Sequence, residues 1–246
     1  MHTTSAGTPV KVPLDPAPRT ARDAFWQRQG MKRILWVILP LVMVGGLFYP
    51  LLGVSILGCM IGAIAIAPFR GRAWCDICPR GAFFDVVMRK FSAGRPVPAF
   101  LRGTPFRVFM VALIMTVMIT QLVFAWGDWN AVGWVFLRLL LITTLVGVVL
   151  AVPLNARTWC AFCPMGSMAS WMGKKKLPLQ VNDSRCTDCG MCARVCPVGL
   201  NPAASRKDGE MQHGDCLKCM ACTAHCGRAA LTFEKPTDPP VPPQAG

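Results

Sequence analysis

Arg72–Gly81 reads R-A-W-C-D-I-C-P-R-G, and Arg157–Gly166 reads R-T-W-C-A-F-C-P-M-G. Both reduce to R-x-W-C-x-x-C-P-x-G. Each follows an apolar stretch too long for one membrane crossing, since about 20 helical residues span the hydrocarbon core. Residues 34–69 fold back naturally at Pro50. Residues 106–154 are broken by the polar turn Gly127-Asp128-Trp129-Asn130, with Trp126 and Trp134 beside it, where tryptophan suits a membrane–water boundary. The sequence therefore predicts a membrane α-helical fold with four transmembrane helices, roughly 33–49, 51–69, 106–126 and 132–153, as two repeated hairpins in residues 33–176. Each hairpin leads through its Cys-pair loop into a mixed apolar and basic segment, residues 82–91 and 167–176, expected to lie as a helix along the interface.

Composition agrees: 53% of the 246 residues are hydrophobic and only 15% are charged. The net charge of +14 sits in loops. Arg28, Lys32 and Arg33 precede the first span; Arg70, Arg72, Arg80, Arg89, Lys90, Arg95, Arg102 and Arg107 lie between the hairpins; Arg157 and Lys174–Lys176 follow the last. The turns at Pro50 and Asp128 carry no lysine or arginine. The positive-inside rule then places both termini and both Cys-pair loops in the cytoplasm. Nucleic-acid binding is not expected, because no basic stripe is interleaved with exposed aromatics. Residues 1–32 show no cleavable signal and read as a polar, Pro-rich, disordered cytoplasmic tail. A disulfide scaffold is also set aside, since such scaffolds belong to short secreted chains.

Beyond the loops lie two runs spaced C-x2-C-x2-C-x3-C: Cys186, Cys189, Cys192, Cys196 and Cys216, Cys219, Cys222, Cys226. In the bacterial ferredoxin run three cysteines hold one [4Fe–4S] cluster and the fourth crosses to the other. That cross-over gives Cys186, Cys189, Cys192 and Cys226 for cluster 1, and Cys216, Cys219, Cys222 and Cys196 for cluster 2. Pro197 matches the run's ending, whereas Gly227 departs from it. Structural zinc, which also takes four cysteines, is the weaker alternative for two complete runs. Residues 177–234 are thus expected as a C-terminal cytoplasmic bacterial-type 2[4Fe–4S] ferredoxin domain of α+β class, followed by a disordered tail, 235–246. The paired loops leave three readings open. Cys75, Cys78, Cys160 and Cys163 meet as ligands of a third iron–sulfur cluster, act as redox thiols, or hold another metal or a purely structural role. Trp74 and Trp159 shield such a site or simply anchor the interface.

Cys59, mid-helix among Leu57, Met60 and Ile61, reads as a small apolar filler. Arg138 is an ionisable residue inside a span, which either snorkels outward or, with Gln121 at a similar level, contacts a quinone. The three histidines, His2, His213 and His225, lie outside the spans, and no C-x-x-C-H occurs, so no haem is expected. No Gly-rich dinucleotide loop or P-loop is present, so no nucleotide is expected either.

Four spans, two cytoplasmic Cys-Pro loops (Cys75/Cys78-Pro79 and Cys160/Cys163-Pro164) and a terminal pair of ferredoxin runs resemble the NapH/MauN-type polytopic membrane ferredoxin family, related to the membrane core of NosR. The resemblance covers roughly residues 33–230; the family loop is commonly C-x3-C-P, and this chain has C-x2-C-P twice. It implies a multi-pass protein of the bacterial inner membrane that exchanges electrons with the quinone pool in support of a periplasmic oxidoreductase. It would be a quinol dehydrogenase subunit rather than a stand-alone enzyme. Its partners would be other redox subunits: a periplasmic oxidoreductase or multihaem cytochrome, and a cytoplasmic ferredoxin-like protein. The rival is a redox assembly or activation factor for a periplasmic metalloenzyme, with the C-x-x-C-P pairs as the relay.

Overall fold

The computed structural model describes residues 19–173 and 176–233. Four helices are long and apolar enough to cross a membrane: Ala21–Phe48, Pro50–Arg70, Thr104–Phe124 and Trp129–Ala151. The first combines α1 (Arg19–Leu35) with α2 (Ile38–Phe48). Pro40 causes the break between them, because it has no N–H for the Trp36 carbonyl. There Val37 N–H donates to Ile34 O at 3.2 Å instead. A 3-10 turn at Pro50–Val54 leads into α3 (Ser55–Arg70), and a second pair is formed by α7 (Thr104–Phe124) and α8 (Trp129–Ala151). Asp128 caps α8 by accepting from Asn130 N–H at 2.8 Å. Outward residues such as Leu41, Phe48, Ile61, Ile119, Val123 and Leu145 stay exposed, as a lipid-facing surface requires.

The expected tail 1–32 is corrected by α1, which covers its later part; residues 1–18 lie outside the described residues, as do 234–246 with the expected C-terminal tail. Tertiary contact makes this helix where composition argued against one. Phe25 is buried with its ring edge-on to His225 at 5.3 Å, and Lys32, assigned from the sequence to that tail, is 2% exposed.

Each Cys-pair loop is a short helix followed by another: α4 (Ala73–Ile77) then α5 (Pro79–Val86), with a 3-10 turn at Met88–Lys90, and α9 (Thr158–Phe162) then α10 (Pro164–Met172). The segments expected along the interface carry short helices, and each turns one face inward. α5 buries Gly81, Ala82 and Phe84, and α10 buries Gly166, Ser167, Ala169 and Ser170. The contacts come in matched pairs: α5 packs on α2 and α8, and α10 packs on α7 and α3. Small residues on α10 permit this closeness. With α6 (Ala99–Arg102), these elements enclose an apolar core of Phe84, Leu101, Ile114, Trp159 and Phe162 at the loop end of the bundle.

The remaining segment is a three-stranded antiparallel sheet in the order β2-β1-β3, from β1 (Leu179–Val181), β2 (Glu210–Met211) and β3 (Leu231–Thr232). Leu179 pairs with Met211 and Val181 with Leu231. Two one-turn helices, α11 (Met191–Arg194) and α12 (Ala221–Ala224), and a 3-10 turn at Pro202–Ser205 complete it. Leu179, Val181, Leu200, Leu217 and Leu231 form its core, and Cys75 of the first loop packs against that core.

At the opposite end of the bundle the Pro50–Val54 turn meets α8 backbone to backbone. A Cβ on Gly133 would overlap the Pro50 carbonyl, and one on Gly53 would overlap the Gly133 carbonyl. Neither neighbour is a flexible side chain. Gly133→Val should therefore destabilise the bundle by about 3 kcal/mol or more, read as a lower thermal midpoint in detergent. An unchanged midpoint would refute this close approach.

Candidate functional site

The two loops have one geometry. Cys75 N–H and Cys160 N–H each donate to the carbonyl of the arginine three residues earlier at 3.0 Å, and Cys78 and Cys163 N–H each donate to the preceding tryptophan carbonyl at 2.9 Å. Cys78 and Cys163 both leave the helix at φ −53, ψ 131, and the next proline opens α5 or α10. Cys75, Cys78, Cys160 and Cys163 are thereby brought to one cavity of about 320 Å³ between α2, α3, α8 and the loops.

The loops are latched by crossed arginines. Arg157 Nη1 donates to Cys75 O at 2.8 Å, and Arg72 Nη2 donates to Cys160 O. The glycines make room: a Cβ on Gly81 would sit 2.6 Å from Arg157 Nη1, and one on Gly166 would sit 2.7 Å from Arg72 Nη2. So the repeated Arg and Gly of R-x-W-C-x-x-C-P-x-G exist for each other across the two loops. Sequence reasoning noticed the repeat and missed this pairing, although the fixed offsets of Arg and Gly from the cysteines were its signal.

Carboxylates neutralise these buried cations. Arg157 Nε and Nη2 donate to Asp85 at 2.7 and 2.6 Å, and Lys32 Nζ donates to Asp85 at 2.9 Å and to Asp76 at 2.6 Å. Arg72 Nη1 and Arg107 Nη1 donate to Asp215 Oδ1 at 2.9 and 2.8 Å, and Arg107 Nη2 donates to Oδ2 at 2.6 Å. Burial alone would raise the Asp85 carboxyl, but Arg157 and Lys32 hold it well below the usual carboxylate range. Asp215 is likewise held down, against its burial, by Arg107 and Arg72. Two further arginines dock the C-terminal segment: Arg28 donates to Lys218 O at 2.7 Å and Arg102 to Val198 O at 2.6 Å. Residues that serve a topology rule in the sequence are here structural donors.

Arg80 is the exception. Its Nε and Nη2 are buried without hydrogen-bond partners, and its Cζ lies 4.7 Å over the Trp159 ring on the cavity wall. Burial pulls its guanidinium below the ordinary value, and Cys163, Cys160 and Cys78 oppose that. Cys59, read from the sequence as apolar filler, also lines the cavity. Its thiol contacts Cys78, and that contact, with burial, pushes the Cys78 thiol up; burial pushes Cys75 up to about 11. Bound iron would supply positive charge that favours the thiolate form of the cavity cysteines.

In the C-terminal segment Cys186, Cys189, Cys192 and Cys226 line one cavity of about 40 Å³, and Cys196, Cys216, Cys219 and Cys222 line another of about 20 Å³. The runs turn alike. Asp188 and Lys218 take positive φ (51 and 54), as do Gly190 and Met220 (69 and 63) before α11 and α12. These left-handed steps wrap the chain around each cavity, and only the first run places a glycine there. Leu200 N–H donates to Cys196 Sγ at 3.3 Å and Ala230 N–H to Cys226 Sγ at 3.4 Å, the kind of bond that tunes a cluster. Burial pushes Cys219 up to about 12. Among the described residues no three His, Cys, Asp or Glu side chains gather tightly enough for one metal ion. The cysteine sets surround spaces instead, and their all-thiolate chemistry fits iron–sulfur clusters.

Arg138 and Gln121 line a groove of about 840 Å³ between α7 and α8 with Asp128, Thr143 and Trp159. Arg138 is exposed and lies 5.9 Å from the Trp134 ring centroid. Trp159 also lines the cysteine cavity, so one indole borders both spaces.

Two family models, each described as a 4Fe-4S binding domain, match the chain. One matches twice, at residues 52–98 and 137–180, spanning each Cys-pair loop; the other matches residues 179–200 over the first run. The chain is thus an iron–sulfur protein of the ferredoxin type, carrying helices fit to cross a membrane. No curated protein and no solved structure matches it.

Because both Asp85 and Asp215 are depressed in the folded state, their stabilisation is complete above the unfolded aspartate value, about 3.9, and is lost as pH falls through the lower folded values. Stability should hold through mild acid and fall only below about pH 4. Asp215→Asn leaves Arg72 and Arg107 short of a counter-charge and should cost about 3–5 kcal/mol, seen as protease release of the C-terminal segment at neutral pH. Wild-type resistance in that variant would refute the latch.

Proposed function

We propose that this chain is a membrane-bound electron-transfer protein that exchanges electrons with the quinone pool in support of a periplasmic oxidoreductase. Cys186, Cys189, Cys192 and Cys226 would hold one [4Fe–4S] cluster, Cys216, Cys219, Cys222 and Cys196 a second, and Cys75, Cys78, Cys160 and Cys163 a third iron–sulfur centre. Bound clusters supply one-electron carriers, and a quinol gives up two electrons, so a series of centres matches the donor. The observation that carries the reading is the sharing of walls. Trp159 borders the α7–α8 groove and the cysteine cavity, and Cys75 packs against the core of the C-terminal segment, which includes Cys216.

The residues divide the task. Arg138 and Gln121 offer a guanidinium and an amide to a quinone oxygen inside an apolar groove. Trp159 closes the inner end and excludes water from the cysteines. The arginines of the loops and the positive-inside rule support a cytoplasmic position for all twelve clustered cysteines, in a bacterial inner membrane.

Purified protein in liposomes should show its clusters reduced by a short-chain quinol, followed by their absorbance. Arg138→Leu should raise the quinol concentration needed by about tenfold, the worth of one charged hydrogen bond. Full clusters without quinol reduction would overturn the quinone reading. Iron should be about twelve per chain, and Cys75→Ser should lower it to about eight. Unchanged iron would remove the third centre.

A further inference from the structure

The two Cys-pair loops differ in charge at only two places. Asp76 stands where the second loop has Ala161, and Arg80 stands where it has Met165. Asp76 is matched by Lys32 at 2.6 Å. Among the described residues no carboxylate lies within ion-pair distance of Arg80. Arg72 and Arg157, by contrast, are each matched by an aspartate. Arg80 is therefore the positive charge on the cavity wall that has no carboxylate partner among the described residues.

Arg80 is half-buried, and leaving its Nε and Nη2 buried without a hydrogen-bond partner is costly unless an anion in the cavity satisfies them. The cavity it faces is lined by four cysteines, and four thiolates around an iron–sulfur core leave the assembly net negative. Adding an electron makes it more negative still, so a fixed positive charge in a water-poor wall favours the reduced form. Arg80 lies over Trp159, which separates this cavity from the α7–α8 groove, so the charge sits on the groove side. Met165, lining the same cavity, brings no charge from the other loop.

We propose that Arg80 is a positioning charge that raises the reduction potential of the paired-loop centre and makes it the acceptor for electrons arriving past Trp159. The proposal rests on the reading that the paired loops hold an iron–sulfur centre. It assigns the departure from loop symmetry to electrostatics: the lysine-bound Asp76 braces the fold, and Arg80 tunes the site.

The experiment is a redox titration followed by EPR on the full-length protein, with iron counted in each sample. Arg80→Met, which copies the second loop, should keep wild-type iron and lower the midpoint by at least about tenfold in the reduction equilibrium, 59 mV for a one-electron couple. Arg80→Lys should restore most of the shift. Met165→Arg, which adds a guanidinium to the opposite wall, should raise the midpoint and serves if Arg80→Met fails to assemble. An unmoved midpoint in Arg80→Met with full iron, or in Met165→Arg where Arg80→Met does not assemble, overturns the role of Arg80. Unchanged iron in Cys75→Ser instead overturns the underlying centre, a separate failure.

Discussion

The crossed guanidinium groups of Arg72 and Arg157 are the constraint on which the loop end of this molecule depends. Each leaves its own loop, passes over a glycine of the other and donates to the carbonyl of that loop's first cysteine. Neither loop can therefore adopt its position alone. Because each guanidinium also needs a buried carboxylate, the latch draws in distant chain: Asp85 from α5, and Asp215 from the C-terminal segment. The latch thus ties the cysteine cavity, the bundle and the C-terminal segment to one another. Such buried pairs add little net stability over apolar packing, but they demand one arrangement, since a single missing partner leaves a charge stranded.

This division between stability and specificity runs through the fold. The four long helices expose most of their apolar residues, and their mutual packing relies on small residues such as Gly53 and Gly133 rather than on a thick core. The apolar core lies at the loop end, around Phe84, Trp159 and Phe162, directly behind the cysteine cavity. The chain has spent its best packing where rigid cysteines are wanted. That placement holds the α7–α8 groove and the cavity on either side of one indole.

The sequence made the four helices legible because span length, breaking residues and loop charge pointed to the same hairpins. The two cysteine runs surround two cavities: Cys186, Cys189, Cys192 and Cys226 line one, and Cys196, Cys216, Cys219 and Cys222 the other. Helix α1 was not readable, because its stabilising contacts, Phe25 on His225 and Lys32 on Asp76 and Asp85, join residues far apart in the chain. Basic loop residues misled for a related reason. Topology accounts for all of them at once, so nothing in the pattern separates the solvated ones from Arg72, Arg102 and Arg107, which hold the C-terminal segment. The approach of Cys59 to Cys78 was not readable, because helical periodicity does not reveal which residues a neighbouring loop will meet.

Helix α1 has a mechanical consequence. It leaves the C-terminal segment, where Arg28 holds the Lys218 carbonyl and Phe25 meets His225, and continues with one kink into α2. It is a strut fixed at both ends. The distance between the loop cavity and the cysteine-rich segment is thereby tied to the length and stiffness of one helix rather than to a flexible linker.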